Sequence, residues 1–547
     1  MKKLRYCLAA TAVFAYGAAA ACTNFIVTKG ASTDGSVLVT YSADSYGMFG
    51  HLCHYPAGKH APGEMVDIRD WDTNKFLGQI PQAAQTYNVI GNINEYQVTI
   101  AETTFGGRPE LVDPTGLIDY GSLIYLGLQR SRTAREAIKV MTDLVKEYGY
   151  YSSGESFTIA DPNEVWIMEM IGKGPGVKGA VWVAVRIPDD CIAAHANHSR
   201  IHQFPLDDKE NCLYSPDVIS FAREKGYFDG KNKDFSFSAA YAPADFSALR
   251  ACEARVWSFY RKHNPEMEKY LSYITGETKE PMPLYIKPDR KLSLQDIQND
   301  MRDHYEGTAL DITADLGAGP FNSPYRPSPL TFKVDGKEYF NERPISTQQS
   351  AFTFVAQMRS NLPNAVGGIL WFGLDDANMI AYVPVYCCTN RIPDCFAAGK
   401  GADGVTFSWD NSFWVCNWVS NMIYPRYNLM IGDLRAVQGR LEQGFFDAQK
   451  DVEEKAVALY EQNPADAVKY LTDYTVASAG KMHQEWRKLG EFLVVRYNDM
   501  VVKKVSGGQF ERTEDGIGAA PERPGYPEDY NRRVIQETGE RYKVPEK

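Results

Sequence analysis

A single cysteine organises the chemistry this chain could perform. Cys22 follows Ala18-Ala19-Ala20-Ala21, and upstream lie Lys2, Lys3 and Arg5 and then an apolar run over residues 8–21. A positive start, a short apolar core and small residues at Ala19 and Ala21 describe a bacterial-type secretory signal. Cleavage after Ala21 would make Cys22 the first residue of the mature chain. Three readings stay open at this point. The cysteine is incidental, or it accepts lipid as in a lipoprotein, although Ala19 stands where a lipobox carries Leu. In the third, it is a nucleophile whose own α-amine serves as base. An acylated Cys22 would have neither free thiol nor free amine, so the last two exclude each other.

The nearest carboxylate that could serve such a group is Asp44. Residues 23–29 are rich in β-formers, Asp34-Gly35 is a hairpin signal, and residues 36–42 form the returning strand. A turn at Asp34-Gly35 places Phe25 opposite Asp44 and brings that carboxylate back beside the mature N-terminus. There it either orients thiol and amine or merely ends a strand.

Other constellations carry less. His195-x-x-His198-x-x-x-His202 has metal-ligand residue types, but no H-E-x-x-H is present. On a strand His195 and His198 point to opposite faces, which favours polar packing over metal. Gly174-x-Gly176-x-x-Gly179 is followed by strand-like residues rather than a helix, so it reads as a loop and not as a dinucleotide site. There is no G-x-S-x-G and no Walker sequence. The 33 Tyr, 26 Phe and 9 Trp are core material before they are a sugar-binding surface. Of the 10 cysteines Cys7 lies in the leader, so an odd number remains, and no C-x-x-C pair suggests zinc.

The elements that must hold these residues are legible in outline. Residues 87–93 and 97–104 form a hairpin across Asn94-Glu95-Tyr96, and residues 133–148 carry a helical apolar stripe. Strands follow over 157–160, 165–170, 180–187 and 192–196. A helix is expected over 347–360, then strands over 368–372 and 379–386. Residues 433–500 read as helical, interrupted at Asn463-Pro464. Residues 507–547 are charged and rich in Pro and Gly, an extended tail. Strands in runs and helices in blocks indicate an α+β architecture. The 547-residue length, 44% hydrophobic content and 23% charge suit a large globular chain, and the net charge of −11 argues against a nucleic-acid protein. No apolar window spans a membrane.

Taken together, Cys22-Thr23-Asn24-Phe25-Ile26-Val27, Ala31-Ser32-Thr33-Asp34-Gly35-Ser36 and the later Asp44 resemble the start of the dipeptidase A family of cysteine peptidases. Further matches are Asn94-Glu95, the Asp161-Pro162 hairpin ending in Glu169, His195-Ala196-Asn197-His198-Ser199 and Glu253-Ala254-Arg255-Val256-Trp257. Arg302-Asp303-His304-Tyr305-Glu306-Gly307-Thr308, Arg343-Pro344-Ile345-Ser346-Thr347 and Tyr382-Val383-Pro384-Val385-Tyr386 continue the likeness. Those enzymes are N-terminal nucleophile hydrolases, distantly similar to penicillin V acylases and bile salt hydrolases. The resemblance implies a four-layer αββα core over residues 22–430, helices over 431–500 packed on it, and a tail over 501–547. Signal cleavage of residues 1–21 would unmask the nucleophile.

The same resemblance implies that Cys22 is the nucleophile, Asp44 the carboxylate near it, and Asn197 an oxyanion-site residue. Arg255 matches an active-site arginine. Tyr41 stands where dipeptidase relatives carry Arg, and Thr104 where the acylases carry Asn; with Asn94 these are assigned to substrate binding. The implied activity is hydrolysis of dipeptides through a thioester, in the periplasm or after secretion. An acylase-like amidase and, from another class, a lipid-anchored envelope binding protein are the alternatives. The expected partner is a dipeptide or small amide, with no nucleic acid, transmembrane segment, metal or organic cofactor; a homo-oligomer is compatible with this reading.

Overall fold

The β-forming residues after Cys22 become the strand Asn24–Val27, the third of seven in an antiparallel sheet of a computed structural model that describes residues 22–546. The leader assigned to residues 1–21, its cleavage site and Cys7 lie outside the described residues. In spatial order the sheet runs Tyr285–Ile286, Ile192–His195, Asn24–Val27, Val37–Asp44, Ser350–Met358, Ile369–Leu374 and Val383–Tyr386. A second, eight-stranded sheet contains the antiparallel meander Thr99–Gly106, Gly154–Ala160, Val165–Gly172 and Ala180–Arg186. The architecture is mixed α and β.

Packing follows the strand period of two. In the meander, Ala101, Ile167, Ile171, Val181 and Val183 join Ile26 and Val39 of the first sheet in one apolar cluster. The alternate residues Ile100, Phe157, Trp166, Met168 and Met170 pack on Leu123, Leu128, Ile138 and Met141 of the helices Tyr120–Arg130 and Ala134–Tyr148. The second of these helices starts where the sequence reading put it, with the Thr133 hydroxyl accepting from the Glu136 amide as N-cap. Across the seven-stranded sheet Phe25 stacks on Phe259 of the helix Ala254–His263 with ring centroids 4.1 Å apart. The long helix Pro464–Tyr497 packs on the strand Val383–Tyr386. It runs antiparallel to Tyr427–Gln462, with Asn463 capping the junction and Arg440–Glu485 and Arg496–Asp433 ion pairs linking the two.

Three sequence expectations are corrected. The helix expected over 347–360 is the strand Ser350–Met358, buried along its whole length between two neighbours. A strand covered on both faces has no polar alternation, so its apolar run imitates a buried helix. The first hairpin is also registered differently. Ile26 pairs with Val39 and Thr23 bridges Ser42, so Phe25 lies level with Thr40 rather than Asp44. Asp34-Gly35 does not form a two-residue turn. Gly35 takes the left-handed conformation that glycine tolerates (φ +75°), while Asp34 accepts from the Ser36 amide and hydroxyl and from Gln357. The C-terminal tail, finally, carries the helix Glu528–Thr538 and a small ribbon, Val505–Ser506 with Gln509–Phe510.

Candidate active site

Cys22 precedes the strand Asn24–Val27 and is almost wholly buried, at 2% exposure. The meander strand Thr99–Gly106 pairs with Ile93–Asn94 only at Thr99, and beyond that point Asn24 Nδ2 donates to the Glu102 carbonyl at 2.9 Å. On this edge the Cys22 thiol lies 3.5 Å from Glu102 Oε1 and 3.6 Å from the Tyr41 hydroxyl. Tyr41 in turn donates to Glu102 Oε1 at 2.6 Å. Burial, followed by the charges of Glu102 and Asp44, pushes the thiol pKa well above its usual range. The Asp44 amide and Tyr41 hydroxyl act in the opposite direction and do not offset it.

Asp44 ends the strand Val37–Asp44 and is fully buried. Its Oδ2 takes Arg343 Nη2 at 2.5 Å and Ser42 Oγ at 2.9 Å, and its Oδ1 takes Ser350 Oγ at 2.6 Å. As a residue matching an active-site arginine, Arg255 could hold either a substrate carboxylate or Asp44. The structure gives the ion pair with Asp44 to Arg343 and uses Arg255 otherwise. Arg255 Nη1 donates to the Cys22 carbonyl at 2.6 Å and Thr23 Oγ1 at 2.8 Å, and Nη2 to the Ala196 carbonyl and Asn197 Oδ1 at 3.1 and 3.0 Å. Burial and the neighbouring Arg343 lower its pKa to about 10, so it stays charged near neutrality.

Asn197 completes the ring: its Nδ2 donates to the Thr104 carbonyl at 2.8 Å, and its backbone is left-handed at φ +61°, a conformation asparagine adopts more readily than most residues. The loop behind it is clamped by Glu169, which accepts from Ser199 Oγ and the Arg200 and Ile201 amides. Burial raises that carboxyl to about pH 7. Thr104 contributes its carbonyl here, while its hydroxyl donates to Glu155 at 2.7 Å.

Thus Cys22, Tyr41, Asp44, Thr104, Asn197 and Arg255 are brought together from distant segments. Asn94 is not among them. Its Nδ2 donates to the Leu128 and Ser131 carbonyls and its Oδ1 accepts the Tyr96 and Val98 amides, so it fixes a turn at the end of a helix. His195 is engaged by Thr103 and Thr158 hydroxyls at 2.7 Å on its two ring nitrogens, and burial lowers its pKa to about 3, so it is a neutral core residue. Among the described residues no cluster of three or more His, Cys, Asp or Glu could hold a metal.

Sequence reasoning missed Arg343, Ser350, Glu102 and Glu155. A glutamate in an otherwise uncharged, β-forming stretch is the signal that could have exposed Glu102, since an ionisable group seldom enters a core without a task. Two cavities flank the site. One of about 880 Å³ reaches Ser45, Asp72 and Phe352, the last packed against Tyr41; the other, of about 360 Å³, is lined by Asn197, Arg108 and Cys252.

Comparison with known proteins bears on what this site does. The model of peptidase family C69 matches residues 51–440. A Salmonella dublin protein named probable dipeptidase is 27% identical over 408 residues, covering 71% of this chain and 85% of its own. A Latilactobacillus sakei protein of the same name is 25% identical over 479 residues, covering 83% and 90%. The protein named dipeptidase A in Lactobacillus helveticus is 23% identical over 453 residues, covering 78% and 84%.

Proposed function

The chain belongs to peptidase family C69 and is a hydrolase of peptide bonds, and from that premise we propose that it is an exported dipeptidase whose nucleophile is the mature N-terminal Cys22. The observation that carries this reading is the convergence of Arg255, Asn197 and the Arg343–Asp44 pair on the residue that signal cleavage would expose. The packing of helices, two sheets and further helices described above supports an αββα N-terminal nucleophile fold.

Chemically, a buried thiol with a raised pKa needs a base within reach. An α-amine, with an ordinary pKa near 8, is matched to that task near neutrality and sits on the same residue. The amine takes the thiol proton as sulfur bonds to the peptide carbonyl carbon. The Asn197 amide stabilises the oxyanion, a contribution of roughly 2.7–4 kcal/mol for one such donor. The amine passes its proton to the leaving nitrogen as the C–N bond breaks, leaving a thioester on Cys22. It then takes a proton from water as the resulting hydroxide attacks the thioester carbon; the C–S bond breaks, the acid is released, and the amine returns its proton to the sulfur to restore the thiol. Asp44, held by Arg343, fixes the electrostatics around thiol and amine. Arg255 holds the Cys22 carbonyl and so orients the residue that carries both groups.

The test is a panel of dipeptides and acyl amides run on the mature protein and on Cys22→Ala, with intact mass of the N-terminal peptide. Dipeptide hydrolysis lost in Cys22→Ala, with an unmodified Cys22, supports the reading. A lipid adduct on Cys22, or hydrolysis surviving the substitution, overturns it. Turnover of acyl amides alone would make the chain an acylase.

A further inference from the structure

Glu102 and Glu155 are a carboxyl pair that the mechanism above does not use. They are 0% and 1% exposed, and their carboxyls meet one another. A contact between two acceptors holds only through a proton. Glu102 Oε1 accepts from Tyr41 and Glu155 Oε1 from Thr104. Among the described residues no neighbouring group donates to Glu102 Oε2, Glu155 Oε2 or Asn24 Oδ1, the last on the residue that holds the Glu102 carbonyl. Asn24 Oδ1 has no donor, and the two Oε2 atoms have at most the one proton their carboxyls share; with no cation paired to either carboxyl among the described residues, these buried acceptors ask for a ligand that brings positive charge and several N–H groups. An ammonium group has three such donors and one positive charge.

Distance makes the same point. The carbonyl carbon under attack must come within about 3–3.5 Å of Cys22 Sγ, and the α-nitrogen of that residue is two bonds further on, so it lies within about 6 Å of the sulfur. Glu102 Oε1 stands 3.5 Å from that sulfur. Asp72 on the wall of the larger cavity, close enough for its charge to act on both glutamates, extends the negative field towards solvent.

Resting on the assignment of Cys22 as nucleophile, we propose that Glu102 and Glu155, with Asn24, receive the α-ammonium group of the substrate and so restrict the enzyme to peptides with a free N-terminus. Binding of the ammonium releases the proton the pair shares to solvent and leaves both carboxylates facing the one cation. The acyl part of the substrate is thereby selected by its charge, and amides without that amine are poor substrates.

The test compares one dipeptide with its N-acetyl derivative on the mature wild type, Glu102→Gln and Glu155→Gln, with thermal melts to verify folding. The wild type is expected to favour the free amine by at least about 100-fold in kcat/KM, because a site built for polar partners rejects the analogue that lacks them. Each variant should shrink that ratio by about tenfold or more, chiefly through a higher KM for the free dipeptide. A wild type that cleaves both substrates alike overturns the inference, and so do variants that weaken both substrates in proportion. The wild-type comparison decides even where a variant does not fold. A wild type that cleaves neither substrate overturns the dipeptidase reading itself, a different result from cleavage without preference.

Discussion

The two sides of Cys22 hold carboxylates of equal burial and opposite treatment. On one side Asp44 has a guanidinium and two hydroxyls on its oxygens. On the other, Glu102 has the Tyr41 hydroxyl and the Cys22 thiol on one oxygen, a second carboxyl against it, and no cation among the described residues. A buried charge costs several kcal/mol unless it is paired, so a closed network such as that of Asp44 is stable scaffolding. An incomplete one is tolerated where a ligand completes it. On the proposed roles of Cys22 and the glutamate pair, the difference separates a wall that positions the nucleophile from a wall that awaits substrate.

The comparison can be broken most severely at its centre. Cys22→Ala removes the group both walls serve and is expected to lower kcat/KM by at least about a thousandfold, with a melting temperature close to wild type. Loss of folding instead would assign the thiol to packing.

Next, Arg343→Met opens the closed wall and strands Asp44 without its cation. Urea denaturation should show a loss of roughly 3–5 kcal/mol. A loss below about 1 kcal/mol would mean the serine hydroxyls hold Asp44 by themselves.

Tyr41→Phe removes the hydroxyl donor from Glu102 on the open wall. A hydrogen bond to a charged group of this kind contributes about 1.5–3 kcal/mol. The variant should lose less stability than Arg343→Met in the same titration, and an equal loss would erase the distinction between the walls.

The smallest effect is one of slope. Burial and then the Glu102 charge raise the Glu155 pKa well above its ordinary 4.5. Above pH 4.5 the native state therefore keeps a proton that the unfolded chain has released, so stability falls as pH rises towards the native pKa. Glu155→Gln removes this contribution and should flatten the decline of melting temperature from about pH 5 upward. An unchanged slope would place the shared proton elsewhere.

Local chemistry made much of the molecule legible. The apolar stripe over residues 133–148 located the helix Ala134–Tyr148, and Asn463-Pro464 located the junction of the two long helices. The cysteine after the alanines left three readings open, and it was the family resemblance that chose the nucleophile among them. Cys22 and Asp44 were named from residue types and spacing, Asn197 and Arg255 only from the family resemblance, and the four do meet. The partner of Asp44 was beyond reach, since Arg343 is 299 positions away and only the pairing of Ser350–Met358 with Val37–Asp44 brings Ser350 and its neighbourhood to that carboxylate. That same strand was mistaken for a helix because full burial erased its alternation.

What the sequence determined by itself was most of the elements and, with the family resemblance, the candidate for the reactive group, because caps, turns and hydrophobic periods act between neighbours. The tertiary structure decided which carboxylate has a cation and which does not. That choice depends on desolvation and on charges that approach only when distant strands pair, and no local pattern of residues encodes it.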